Sequence, residues 1–283
     1  MEEIESVSIR GTEIEKCLLA YAEMSTYNVY SWKDVTVDLT HSNTVTASAK
    51  RRLERDAKRC WNGFYKDNET NFYKDRHYLH LEFEGIIQKD KKSVLLEIGC
   101  GVGNAFFPLL KLDPNLFVSA IDLSDKAIEF VKKNEFYDEK RCDVYACDIT
   151  KQDLPRSISN RGADNVLLLF VLSAIAPDNM LITMRRAVSV LKIGGHFFFR
   201  DYGRGDHAQM RFKDNGHKLE ENFYVRNDGT RAYYFTVDEI RRLFRLVGLS
   251  VVKLEYIRRT DTNKKTGKSW DRVWIQGSFV KKE

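Results

Sequence analysis

Short apolar runs alternate with helical repeats of apolar and charged positions over most of this chain. Ser93 to Ile98 reads as a buried strand, running into a glycine turn and then a helix to about Leu110. Phe117 to Ile121 predicts a second strand, followed by a helix opened by Ser124 as N-cap. Asp143 to Ala146 and Asn165 to Leu172 predict a third and a fourth strand. Asp178 to Leu191 has helical spacing and is expected to close at Gly194-Gly195, before a fifth strand from His196 to Arg200. Strands that alternate with helices argue for an open, mostly parallel α/β sheet. The rhythm then changes. Residues 203 to 235 form an insertion with a predicted hairpin, Asn222 to Arg226 and Arg231 to Phe235, turning through Asn227-Asp228-Gly229. Thr236 with Glu239 makes a capping box for a helix that ends at Gly248. Val251 to Arg259 and Arg272 to Val280 are two last strands with no helix between them, so they must pair antiparallel or sit apart.

Upstream, Ser48 to Tyr65 is predicted as one amphipathic helix. Ala49, Leu53, Ala57, Cys60, Trp61, Phe64 and Tyr65 share its apolar face, ringed by Arg51, Arg52, Arg55, Lys58 and Arg59. Three regions follow from this pattern: a poorly defined segment over 1–46, a helical, aromatic and basic segment over 47–92, and the α/β domain over 93–283.

Composition narrows the class. Hydrophobic residues make up 43% and aromatics 12%, with only 4 Pro, which is globular rather than disordered. The longest apolar run, Val166 to Ala176, is strand-sized, well short of a membrane span. The acidic start lacks a secretory pattern, so a cytoplasmic protein is expected, with the nucleus as a second compartment. Five Cys without a Cys-x-x-Cys pair read as reduced thiols, and the scattered histidines form no metal constellation. A net charge of +5 is modest for a nucleic-acid binder. Basic residues nevertheless gather from Lys50 to Arg59 and again beyond Arg200, an asymmetry compatible with a polyanionic partner.

The sharpest chemical signal is Glu97-Ile-Gly-Cys-Gly-Val-Gly103, between a strand and a helix. Alternate glycines let the backbone turn tightly and approach a ligand at the carboxyl edge of the sheet. A dinucleotide fingerprint fails, because Asn104 stands where its third glycine would be. A nucleoside cofactor without phosphate, S-adenosylmethionine, suits the loop better. Asp122, at the end of the second strand, is placed to accept from both ribose hydroxyls. Asp148 is placed to accept from the adenine amino group, with Ile149 packing on the ring, and Leu169 and Phe170 would face the sulfonium. Each carboxylate alone has a bland alternative as a cap or surface group; their order along successive strand ends favours the cofactor.

Longer blocks carry a resemblance. Trp-Asn-Gly-Phe-Tyr (61–65), Asn-Phe-Tyr-Lys-Asp-Arg-His (71–77), the glycine loop, Phe-Val-Leu-Ser-Ala (170–174), Phe-Arg-Asp-Tyr-Gly-Arg (199–204), the hairpin 222–231 and Arg-Val-Trp-Ile-Gln (272–276) resemble tRNA 3-methylcytidine methyltransferases of the METTL type. The resemblance implies a class I methyltransferase: a Rossmann-like seven-stranded sheet, mostly parallel with an antiparallel end, behind an N-terminal helical extension. It implies S-adenosylmethionine as cofactor, held by Trp61, Tyr65, Gly99, Gly101, Asp122, Asp148, Ile149 and Leu169. It further implies 3-methylcytidine as product in the anticodon loop of serine or threonine tRNAs, a monomer, and seryl-tRNA synthetase as a candidate partner. Asp201 and Tyr202, at the end of the fifth strand, are the candidate groups for stabilising charge on the base, with a structural Asp201–Arg200 pair as the alternative. Lys74, Arg76, His77, Arg204 and Arg211 are expected to contact phosphate rather than catalyse. Two other classes stay open at this level: a methyltransferase for small molecules or proteins, and a non-catalytic RNA-binding adaptor.

Overall fold

The computed structural model describes residues 45–88, 90–212, 216–262 and 266–282. The segment 1–46 therefore lies almost entirely outside the described residues. Helices α1 (Ala47–Arg55) and α2 (Ala57–Asn68) come first, then a single turn, α3 (Leu79–Glu82). The one helix predicted here is interrupted at Asp56. Its backbone turns to φ −90°, ψ 3°, and its carboxylate draws in the side chains of Arg55 and Arg59. Of the two halves of that helix, α2 has an apolar anchor, with Phe64 and Tyr65 buried, and α1 buries no residue.

The α/β domain then runs β1 (Ser93–Ile98), α4 (Phe106–Leu112), β2 (Leu116–Asp122), α5 (Asp125–Lys133), β3 (Cys142–Ala146), α6 (Arg156–Arg161), β4 (Ala163–Leu169), α7 (Pro177–Ser189) and β5 (Leu191–Tyr202). After β5 come a short α8 (His207–Met210) and three strands, β6 (Lys218–Glu220), β7 (Phe223–Val225) and β8 (Arg231–Tyr233). The chain closes with α9 (Val237–Leu246), β9 (Leu249–Thr262) and β10 (Ser269–Lys281). Seven strands form one sheet in the order β3-β2-β1-β4-β5-β10-β9, and β6-β7-β8 form a small antiparallel sheet. The pairs from β3 to β5 are parallel; β10 runs antiparallel to both β5 and β9.

The apolar runs explain the layers. Phe197, Phe198 and Phe199 of β5 are fully buried and point alternately to the two faces of the sheet. Phe197 and Phe199 meet Phe244 of α9 at 5.1 and 5.3 Å, while Phe198 meets Phe83 on the other side at 5.4 Å. Helix α9 carries the predicted capping box, Thr236 accepting from the Glu239 amide and Glu239 from the Thr236 amide.

Among the boundaries that differ from the sequence expectation, two bear on the packing of the sheet and on the site. The Gly194-Gly195 pair does not close α7, which ends at Ser189; both glycines lie inside β5. A Cβ at Gly195 would stand 2.7 Å from the Asp164 carbonyl oxygen, so glycine is required where β5 presses on β4 and their register slips. The fourth strand stops at Leu169 rather than Leu172. Phe170 takes φ +58° and the chain enters a 3-10 turn, Leu172–Ala174. The order of the strands reverses at β1, between β2 and β4, so the carboxyl ends of β1 and β4 diverge and open a crevice there.

Candidate active site

The crevice is a cleft between the carboxyl edge of the sheet and α2. All eight residues expected to hold the cofactor line it: Trp61, Tyr65, Gly99, Gly101, Asp122, Asp148, Ile149 and Leu169. The glycine loop is drawn onto β2 by backbone bonds. Gly99 and Cys100 donate to the Ile121 carbonyl at 2.7 and 3.0 Å. Gly99, Gly101 and Gly103 all have positive φ, and each is closely overlaid by a neighbour. A Cβ would meet Val171 Cγ2 at 2.3 Å from Gly99, the Tyr65 hydroxyl at 2.7 Å from Gly101, and the Phe107 ring at 2.4 Å from Gly103. The loop thus needs glycine for its turn and for what packs on it.

Asp122 is buried and fastens the loop: its Oδ2 accepts the Gly101 N–H and its Oδ1 the Ser124 N–H, each at 2.8 Å. Burial pushes its carboxyl up to about 6, against the pull of those two N–H groups. Glu97, which the sequence pattern did not single out, is the less satisfied acid. Its Oε2 is buried with no hydrogen-bond partner among the described residues, and burial raises its carboxyl to about 8. An acid inside an otherwise apolar strand, directly before the glycines, was the available signal. Asp148 also lines the cleft, and there burial is outweighed by hydrogen bonds from Thr150 and Lys151 that hold its carboxyl below the usual range.

Helix α2 is held over the cleft by polar contacts as well as by Tyr65. The Asn62 side-chain oxygen accepts from the Ser124 hydroxyl at 2.6 Å and from the Lys126 amide at 3.3 Å. The segment after α2 is pinned by Asn104, whose carbonyl accepts the Arg76 N–H at 2.7 Å and whose amide donates to Asp75 at 3.0 Å. The position that broke the dinucleotide pattern therefore has a task of its own.

Phe170 also lines the cleft, and around its ring an aromatic and cationic corner is built. Tyr202 lies 5.1 Å away, Trp274 lies edge-on at 5.7 Å, and the Arg76 guanidinium covers the ring at 5.2 Å. Asp201 is not at this surface. It is fully buried, and its oxygens accept the backbone N–H groups of Ser173 at 2.9 Å and Tyr202 at 2.8 Å. A carboxylate withdrawn from the cleft in this way does not reach a base, which corrects the expected role. Its alternative, a pair with Arg200, is not formed either, because Arg200 bonds to Glu82 and Gln276.

The expected phosphate-binding residues divide. Arg76 lines the cleft, while Lys74, His77 and Arg211 are exposed. Arg204 is spoken for, pairing with Glu239 of the α9 capping box and bonding to the Tyr234 carbonyl, so its expected role is corrected to a structural one. Two cleft residues had no local signal in the sequence: Glu54 of α1 and Arg231 of β8 form an ion pair 177 positions apart.

S-adenosylmethionine fits this donor set on a structural ground: the orphan Glu97 oxygen, in a cleft lined by the glycine loop, is an acceptor suited to a cationic amino acid moiety.

Comparison with known proteins agrees with this geometry. The methyltransferase domain family matches residues 96–197. The human tRNA N(3)-cytidine methyltransferase METTL6 is 48% identical over 236 residues, covering 82% of this chain and 83% of that protein. The Schizosaccharomyces pombe tRNA N(3)-methylcytidine methyltransferase trm141 is 38% identical, covering 81% and 94%. Among solved structures, a SAM-dependent methyltransferase from Anabaena variabilis superposes with a TM-score of 0.60 at 13% identity, covering 87% of this chain and 100% of that one. That likeness concerns the fold. The long matches at 38–48% identity reach well beyond the fold, and by them this chain belongs to the tRNA N(3)-cytidine methyltransferase family.

Proposed function

We propose that this protein transfers a methyl group from S-adenosylmethionine to N3 of a cytidine in tRNA. The observation that carries this reading is the joining of two surfaces at Phe170: it lines the glycine-loop cleft, and its ring meets Tyr202 and Trp274 in an aromatic corner. A flat base fits such a corner by stacking. When bound, the cofactor supplies a methyl group on a sulfonium, an electrophile that needs no activation by the protein. Ring nitrogen 3 of cytidine attacks with a neutral lone pair, so no general base is required. What the chain contributes is alignment and exclusion of water, and orientation of this kind is worth roughly 7–11 kcal/mol. The base gains positive charge as it is methylated, and the faces of Phe170 and Tyr202 favour that charge.

N3 is a Watson–Crick atom, so the target is unpaired or flipped out. We assign it to the anticodon loop of serine or threonine tRNAs, with seryl-tRNA synthetase as a candidate partner: the short stretch between Arg76-His77 and the glycine loop resembles the serine-tRNA branch of the family, and Arg200-Asp-Tyr-Gly-Arg204 the threonine-tRNA branch. Arg51, Arg52, Lys74 and Arg76 are the cations proposed to track the RNA backbone. The test is methyl transfer from labelled S-adenosylmethionine to total tRNA, with mass analysis of the nucleosides and sequencing of the modified species. 3-Methylcytidine in an anticodon loop is the expected product. Another methylated nucleoside, or no transfer to RNA, overturns the reading.

A further inference from the structure

A fully buried carboxylate is costly to keep ionised unless its oxygens are used, so what Asp201 holds is informative. Asp201 is the penultimate residue of β5, one beyond the last pair with β4, Leu169 and Arg200. One oxygen binds the Tyr202 amide on its own strand, and the other reaches the Ser173 amide, in the middle of the 3-10 turn that follows β4. The Ser173 hydroxyl also acts on this carboxylate, lowering its pKa against the effect of burial, and Ser173 is itself buried. The turn has a second tie to β5, the Phe170 N–H donating to the Arg200 carbonyl at 2.8 Å. Between these two ties lie Phe170, at φ +58°, and Val171, whose methyl group covers Gly99. A bulky residue rarely takes that backbone conformation and keeps it only where its surroundings impose it.

We propose that Asp201 is a positioning residue: through Ser173 it fixes the 170–174 turn, and so sets the Phe170 ring at a defined distance from the cofactor side of the cleft. This inference rests on the reading of the cleft as the methyl-transfer site. It differs from charge stabilisation by Asp201, since the carboxylate acts on protein backbone and touches no substrate. An apolar residue would fill the same volume without the cost of burying charge. What it would lose is the directed bond to Ser173, and with it the single orientation of the turn.

The test compares Asp201→Asn and Ser173→Ala with the wild type. Asn keeps one acceptor oxygen and puts an N–H donor where the second acceptor stood, facing the Ser173 amide or that of Tyr202. Ala at Ser173 keeps the amide bond and loses only the hydroxyl. Single-turnover transfer to tRNA is expected to fall by about 100-fold in Asp201→Asn and by roughly 3- to 10-fold in Ser173→Ala, the scale on which a small misplacement acts. Affinity for S-adenosylhomocysteine and for tRNA should change less than about fivefold, so that the loss sits in kcat rather than in KM. Hydrogen exchange supplies a readout independent of turnover: the Ser173 amide should exchange faster in Asp201→Asn, while Leu167 in β4 stays protected. If Asp201→Asn does not fold, Ser173→Ala decides by the same measurements. Wild-type rates in the folded variants overturn the inference. So does a parallel loss of rate, cofactor affinity and melting temperature, which marks a general staple. A wild-type product other than 3-methylcytidine would sink the substrate assignment while leaving the variant comparison intact, since the ratios are taken on whichever acceptor is methylated. If no RNA is methylated, the exchange rate of the Ser173 amide still decides.

Discussion

Glu54 on α1 reaches two elements at once: it pairs with Arg231 of β8 and accepts the side-chain amide of Asn179 on α7 at 2.9 Å. The Arg231 side chain is only 8% exposed, so this carboxylate is its main compensation for lost water. Helix α1 buries no residue of its own and is otherwise attached through Val45 to the Lys218 carbonyl and through Lys50 to Glu220. These contacts form a polar latch at this side of the cleft, which Glu54 and Arg231 line. Glu54→Ala should cost about 1–3 kcal/mol of stability, the range for losing bonds to a charged group, and should speed release of S-adenosylhomocysteine. Thermal melts with stopped-flow dissociation check both; an unchanged off-rate would make the latch structural only.

The orphan acid in β1 predicts a proton coupled to cofactor binding. Burial raises Glu97 to about 8, so it is mostly protonated at pH 7 in the free protein. A bound ligand that carries an ammonium and a sulfonium favours the ionised form. Binding near neutral pH should then release up to one proton, seen in calorimetry as an enthalpy that varies with the ionisation heat of the buffer. Glu97→Gln should abolish that variation and weaken binding. For stability the sign is opposite to that of a salt-bridged acid. The folded-state value lies above the ordinary 4.5, so the free protein loses stability as pH rises from about 4.5 through about 8. Glu97→Gln should remove much of this slope and stabilise the free protein at high pH by roughly 2–5 kcal/mol. A buffer-independent enthalpy in the wild type would refute the coupling.

Asp122 serves the loop and the ligand together, and its replacement should show both. Asp122→Ala frees the N–H groups of Gly101 and Ser124 and removes the proposed ribose acceptor. Cofactor affinity should fall by about 1.5–3 kcal/mol, with the fold intact by circular dichroism. Because burial raises the Asp122 carboxyl to about 6, wild-type affinity should weaken as pH drops through that value and the acceptor is protonated. Unchanged calorimetric affinity in the Ala variant would end the assignment.

How much of this was legible depends on the range of the signal. Local periodicity sufficed for the strands, for the Ser124 cap and for the Thr236–Glu239 box, because each is decided within a few residues. The glycine loop and the acids at successive strand ends likewise stand at positions that the βα repeat determines. What sequence alone could not place were side chains whose partner is distant in the chain. Asp201 stood at the correct strand end, but the amide that captures it belongs to Ser173, 28 positions earlier. Arg204 was basic and near the site, yet Glu239 claims it from 35 positions away. The Gly194-Gly195 pair resembled a helix stop because a close approach between strands leaves the same local mark as a cap.

The basic face ahead of the sheet is smaller than its sequence suggests. Lys58 pairs with Asp125 at 2.9 Å, and Arg55 and Arg59 both bind Asp56, whereas Arg51 and Arg52 lie exposed on the same helical segment. Charges already matched by an acid contribute little to the field felt by a phosphate, and a polyanion must compete for them. Reversing Arg51 and Arg52 together should therefore lower tRNA affinity and reduce the slope of log affinity against log salt by about 1 for each phosphate left without its cation. The same changes at Arg55 and Arg59 should alter the salt slope less, since those cations are held by Asp56 rather than free to meet phosphate. Cofactor affinity should be unaffected in both. Binding titrations across a series of salt concentrations separate the cases: an unchanged slope in the Arg51 and Arg52 double variant would reduce this face to solvated surface.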